Sequence, residues 1–100
     1  MDSNWLTIKE EGQNAILVKC SKEAHGKIII PEGVSCIGDG AFMSCNNITH
    51  IVIPDSVKKI GVAPFFGCKL LKYAEIPEVF ENNIPRIFAG CLNGLNILIT

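Results

Sequence analysis

The chain has 100 residues and a mass of 10.9 kDa, with 48% hydrophobic residues, 19% charged residues and a net charge of −1. Those figures describe one apolar-rich domain, with no room for a second core and too much hydrophobicity for a disordered chain. Without a basic excess or a basic run, no nucleic-acid partner is expected. The longest apolar runs, such as Ile28–Ile30, fall far short of the roughly 20 residues of a membrane-spanning helix, so no membrane insertion is expected either.

The chain opens with MDSNWLTIKEE, which lacks the basic start and the apolar stretch of about 7–15 residues that mark a secretory signal. A cytoplasmic location follows, or a secreted or surface one if a leader has been removed. Trp5–Ile8 alternates weakly, Glu10–Asn14 is a cluster of turn residues and Ala15–Val18 is a β-rich run. Residues 1–22 are therefore expected to form a β-hairpin cap, with Trp5 packed over the open end near Ile28 and Val34. The segment from Ser21 to Gly26 reads as the connecting loop. The five cysteines, Cys20, Cys36, Cys45, Cys68 and Cys91, are odd in number, and no CxxC pair or zinc-like spacing to His25 or His50 occurs. Free thiols are expected, with no disulfide framework, metal or cofactor.

From Ile28 onward the dominant signal is a repeat. Ile30, Ile53, Ile76 and Ile99 recur at a step of 23 residues, as do Pro31, Pro54 and Pro77, then Phe42, Phe65 and Phe88, then Cys45, Cys68 and Cys91. Residues 23–100 thus hold three repeats of 23 residues plus the first strand of a fourth, Ile97–Thr100, in one structural domain. In each unit a short strand ends at the proline, which cannot donate to a ladder. An apolar–Gly corner follows, as at Ile37-Gly38 and Ile60-Gly61. The stretch Pro64–Cys68 has length for only one turn of 3₁₀ or α structure, which turns Phe65 and Cys68 inward together. A single unit cannot bury its apolar face, so the units must stack. In the third unit Asn82-Asn83-Ile84-Pro85 replaces the apolar–Gly corner, and a distorted turn is expected there.

The pattern Ile30-Pro31, Val34, Ile37-Gly38, Ala41-Phe42, Cys45, Ile48, Ile51 and Ile53-Pro54 resembles the BspA-type leucine-rich repeat, and the likeness runs from about Lys27 to Thr100. The resemblance implies a right-handed leucine-rich-repeat solenoid, mainly parallel β, with a sheet on one face and short helical turns on the other. It also implies an interaction role without enzymatic activity. Members resembling this chain are often surface or secreted proteins.

No catalytic group stands out. The repeated cysteines read as small apolar packing residues, and Cys36, matched by Lys59 and Asn82, reads as more exposed than the rest. Asp39 and Asp55 read as turn residues held by local hydrogen bonds. Glu75, Glu78 and Glu81 read as solvated rim, and Gly38-Asp39-Gly40 as a corner. Two rows fall on the outward face of the strands. Lys27, His50, Tyr73 and Asn96 form one, and Ile29, Val52, Glu75 and Leu98 form the other. Within them Lys27, Ile29, His50, Val52, Tyr73 and Glu75 are the candidate face for binding another protein. The second reading is a structural or self-assembling unit, associating as a homo-oligomer through Ile97, Leu98 and Ile99 at an open strand edge.

Overall fold

The computed structural model describes residues 5–100; Met1–Asn4, where the expected cap begins, lie outside the described residues. Among the described residues eight strands form two four-stranded sheets. The first has the order β1 (Leu6–Glu11), β2 (Asn14–Cys20), β4 (Cys36–Ile37), β6 (Lys59–Ile60). The second has the order β3 (His25–Ile29), β5 (Asn47–Val52), β7 (Tyr73–Ile76), β8 (Asn96–Ile99). Only β1 and β2 are antiparallel, joined as a hairpin; every other pair is parallel. Among the described residues no helix is long and apolar enough to cross a membrane.

Each unit contributes a strand to the second sheet and, in the first two units, a two-residue corner strand to the first. The core lies between. Phe42, Phe65 and Phe88 are fully buried in one file, with ring centroids 5.0 and 5.2 Å apart and interplanar angles of 22° and 17°. Ile28, Ile51 and Ala74 line up beside them, as do Ile30, Ile53 and Ile76. Because like side chains lie over like, each unit covers the apolar surface that its neighbour exposes.

The repeat frame begins earlier than the spacing suggests. β2 pairs with β4, which sets Leu17 beside Ile37 and Ile60 in one buried row. The Cys20 amide donates to Ala41 O at 2.8 Å, much as Phe42 donates to Pro64 O at 2.7 Å, so Cys20 occupies the place that later units give to phenylalanine. The loop expected over Ser21–Gly26 is shorter, since His25 and Gly26 already belong to β3. The half-buried Trp5 indole packs on the core and meets the His25 ring at 5.0 Å, a contact outside the expected one near Ile28 and Val34.

The segment Pro64–Cys68 is a hydrogen-bonded turn and not a helix. Phe66 and Cys68 donate to Ala63 O and Phe65 O, but positive φ at Ala63 (44°) and Gly67 (80°) stops helical continuation on both sides. In the third unit the expected distorted turn is a helix. A 3₁₀ helix, Glu78–Asn83, runs into a single α turn, α1 (Ile84–Ile87), with Pro85 in its first turn, where proline is tolerated. The cause lies in the preceding corner. A Cβ on Gly61 would land on the Asp39 carboxylate and 2.7 Å from the Asp39 amide, so the second unit lies on the first because its corner residue is glycine. Ile84 takes that position in the third unit, and Pro85 has no amide to offer. The backbone leaves the stack, and Arg86 Nη1 reaches back to Ile60 O and Gly61 O at 3.0 and 2.8 Å. Asp39 also differs from expectation, since its carboxylate accepts from the Val62 amide of the next unit at 2.7 Å and not from its own turn.

Candidate functional site

The outward face of the second sheet carries both rows in register. Lys27 pairs with His50, His50 with Tyr73 and Tyr73 with Asn96; Ile29 pairs with Val52, Val52 with Glu75 and Glu75 with Leu98. All six candidate residues therefore share one surface, along with Asn96 and Leu98. Ile29 and Tyr73 are each 50% exposed and Leu98 58%, while His50, Val52 and Glu75 are half-buried. A shallow groove of about 250 Å³ runs along the face between the two rows, over the backbone of Ile51 and Ala74, whose side chains belong to the core.

His50 is aimed by an irregularity in the strand. Gly26 pairs with Ile48 but Lys27 pairs with His50, which leaves Thr49 as an extra residue in β5. Such a bulge bends the strand locally and re-aims the next side chain. It accounts for two partly exposed residues, Thr49 and His50, between inward Ile48 and Ile51. Thr49 Oγ1 and His50 Nδ1 lie 2.9 Å apart, the hydroxyl donating when the imidazole proton is on Nε2. The His50 ring then stacks on Tyr73 with centroids 4.6 Å apart and planes at 20°. A stacked pair of this kind is worth about 0.5–1.5 kcal/mol beyond area burial, and it fixes both rings. Thr49 was missed in the sequence, because a bulge leaves no mark in a repeat that stays in step on either side.

The cysteines lie elsewhere. Cys20, Cys45, Cys68 and Cys91 are buried, and Cys36 is partly exposed. Cys68 Sγ donates to Phe42 O at 3.0 Å, and Cys91 Sγ to Phe88 O at 3.4 Å. Burial pushes the Cys68 thiol up to about 12 and the Cys91 thiol up to about 11, so both are neutral packing groups. No group of three or more His, Cys, Asp or Glu among the described residues is arranged to hold a metal ion. What the outward face offers is contact: apolar Ile29, Val52 and Leu98, two stacked rings, and Lys27 and Glu75 as charges of opposite sign.

Residues 19–100 match the family model described as BspA type leucine rich repeat region (6 copies). A leucine-rich repeat protein from Bacteroides ovatus, known from a crystal structure, is 28% identical and superposes with a TM-score of 0.62 over 74% of this chain. The match covers 18% of that protein, so the present chain spans less than a fifth of its length. No curated protein matches the sequence.

Proposed function

This chain belongs to the BspA-type leucine-rich repeat family, and from that premise we propose that it is a non-enzymatic protein-interaction module. Its units form a solenoid, the N-terminal hairpin caps one end, and the outward sheet face takes the partner. The observation that carries this reading is the pair of in-register rows on one exposed face, centred on the stacked His50 and Tyr73. Rigid aromatic groups with an apolar surround supply contact area at small entropic cost, which is what interaction hot spots use. Lys27 and Glu75 at the margins favour a partner with charges in the opposite order.

The test is partner capture by the intact protein against the double variant His50→Ala, Tyr73→Ala, with circular dichroism showing that both are folded. Loss of capture by the variant supports the face; equal capture removes it.

A second reading is favoured by one observation. Among the described residues β8 is the last strand of its sheet, paired with β7, and it carries half-buried Ile97 and Ile99 and exposed Leu98. Such an edge can pair with a strand of another copy. Light scattering decides it: concentration-dependent association abolished by Ile97→Lys supports self-assembly, and a monomer throughout rules it out.

A further inference from the structure

We propose that Cys20 and Cys45 form an oxidisable dithiol, and that reaction with a hydroperoxide ties the N-terminal hairpin covalently to the first repeat unit. Cys20 is the last residue of β2 and stands where the following units place Phe42, Phe65 and Phe88. The consequence is visible in the next contact. Cys68 Sγ meets the carbonyl of Phe42, and in the same relation Cys45 Sγ lies 3.7 Å from the carbonyl of Cys20. Where the next unit sets a thiol against a phenylalanine, the first sets a thiol against a cysteine.

Both sulfurs also gather at one acceptor, with Ser21 O lying 3.5 Å from Cys20 Sγ and 3.7 Å from Cys45 Sγ. With both sulfurs within 3.7 Å of one oxygen, side-chain rotation can bring them to bonding distance without moving the coils apart. Cys68 and Cys91 are instead each directed at a phenylalanine carbonyl.

The pair divides the two roles that oxidation needs. The neighbouring Cys20 side chain, with Lys22 and Lys19, outweighs burial and draws the Cys45 thiol down to about 7, while proximity to Cys45 and burial push Cys20 up. Cys45 supplies the thiolate and Cys20 keeps its proton. The thiolate attacks the terminal oxygen of the hydroperoxide. The O–O bond breaks, Cys45 becomes the sulfenic acid, and the alkoxide takes a proton from water and leaves as the alcohol. Cys20 sulfur then attacks the sulfenic sulfur; the S–S bond forms, and hydroxide leaves with the Cys20 proton as water. One hydroperoxide is reduced by two electrons, and two thiols are oxidised to one disulfide.

Both thiols are only 1% exposed, so a small oxidant reaches them in local openings that leave Cys20 against Cys45. β2 meets the first unit along a seam of two ladder pairs, Ile16–Cys36 and Leu17–Ile37, with backbone hydrogen bonds from Ser35, Gly38 and Cys20 on either side. Closing the bridge would hold that seam shut.

The experiment treats the folded, reduced protein with hydrogen peroxide, alkylates, and maps peptides before and after reduction. The expected result is one linked Cys20–Cys45 product with the mass of two hydrogens lost, Cys68 and Cys91 still alkylated after unfolding, and a higher Tm reversed by dithiothreitol. Cys36→Ser removes intermolecular products through the partly exposed thiol and should leave the linked product unchanged. In Cys20→Ser the sulfenic acid on Cys45 should persist and be trapped by dimedone. Oxidation confined to Cys36, bridges to Cys68, or a Cys20–Cys45 link formed only in denaturant would each overturn the proposal. Mapping the unsubstituted protein decides the matter even where a variant fails to fold.

Discussion

The second and third units start from the same 23-residue plan and end differently. In the second, Gly61 lets the corner lie directly on Asp39, the Gly61 amide donates to Ile37 O at 2.8 Å, and the Asp39 carboxylate takes the Val62 amide. In the third, Ile84 and Pro85 replace the residues that make both contacts, a short helix takes over, and one guanidinium serves Ile60 O, the counterpart of the Ile37 carbonyl, together with Gly61 O. The inner columns hardly notice, since Phe88 stacks on Phe65 as Phe65 does on Phe42. A repeat can thus keep its core register while its outer corner changes secondary structure, because packing depends on column positions and the corner depends on whether a Cβ fits.

The largest disturbance separating the two units should be alkaline pH. Cys68 and Cys91 are neutral in the folded state, with values of about 12 and about 11 against an ordinary value of 9.0. Between about pH 9 and those values the unfolded chain has released protons that the folded chain still holds, so stability falls as pH rises. The thiol contribution is complete below pH 9 and lost as pH climbs through 11 and then 12. Cys91, 8% exposed against 1% for Cys68, should ionise first. Thiolate absorbance followed beside circular dichroism checks this; a flat stability profile from pH 8 to unfolding would contradict it. Phe65→Ala comes next, at about 3–5 kcal/mol for emptying a packed aromatic site. Phe88→Ala should fall at the lower end, because Phe88 has one ring neighbour where Phe65 has two. Urea unfolding measures both, and a cost below about 1 kcal/mol for Phe65 would be incompatible with the stacked file.

Gly61→Ala against Ile84→Gly tests the corner itself. The added methyl group at 61 meets Asp39 backbone, which cannot move cheaply, and overpacking of this kind costs about 1–3 kcal/mol. Ile84→Gly should cost its buried contacts and about 0.5–1 kcal/mol of helix preference, with no clash to relieve. If Gly61→Ala is silent, steric exclusion does not explain why the third corner is helical.

How much of this was legible follows from the same contrast. The phenylalanine file and both outward rows could be read because a strict step of 23 residues carries them. The place of β2 was hidden, since Leu17 precedes Ile37 by only 20 residues and Cys20 offers a thiol where the column has a ring. At Asn82–Pro85 the departure was plain but its outcome was not, because the outcome rests on the space above Gly61, which belongs to another unit. Thr49 went unseen for a similar reason, the bulge being a relation between strands.

The finest test concerns Arg86. A hydrogen bond to a charged donor is worth about 1.5–3 kcal/mol, and partial exposure puts this one near the lower bound, so Arg86→Ala should cost about 1.5 kcal/mol. Stability alone would not distinguish a lost side-chain contact in α1 from a lost rung. Hydrogen exchange does. If the guanidinium replaces the missing backbone donors of the third unit, its removal should speed exchange at the corner strand β6 and at Gly61, while β5 and β7 stay protected. Arg86→Lys, which keeps the charge but loses the planar fork, should lie between. Unchanged exchange at β6 in the alanine variant would mean that the corner strand holds its edge without help, and that Arg86 adds nothing to how the second and third units meet.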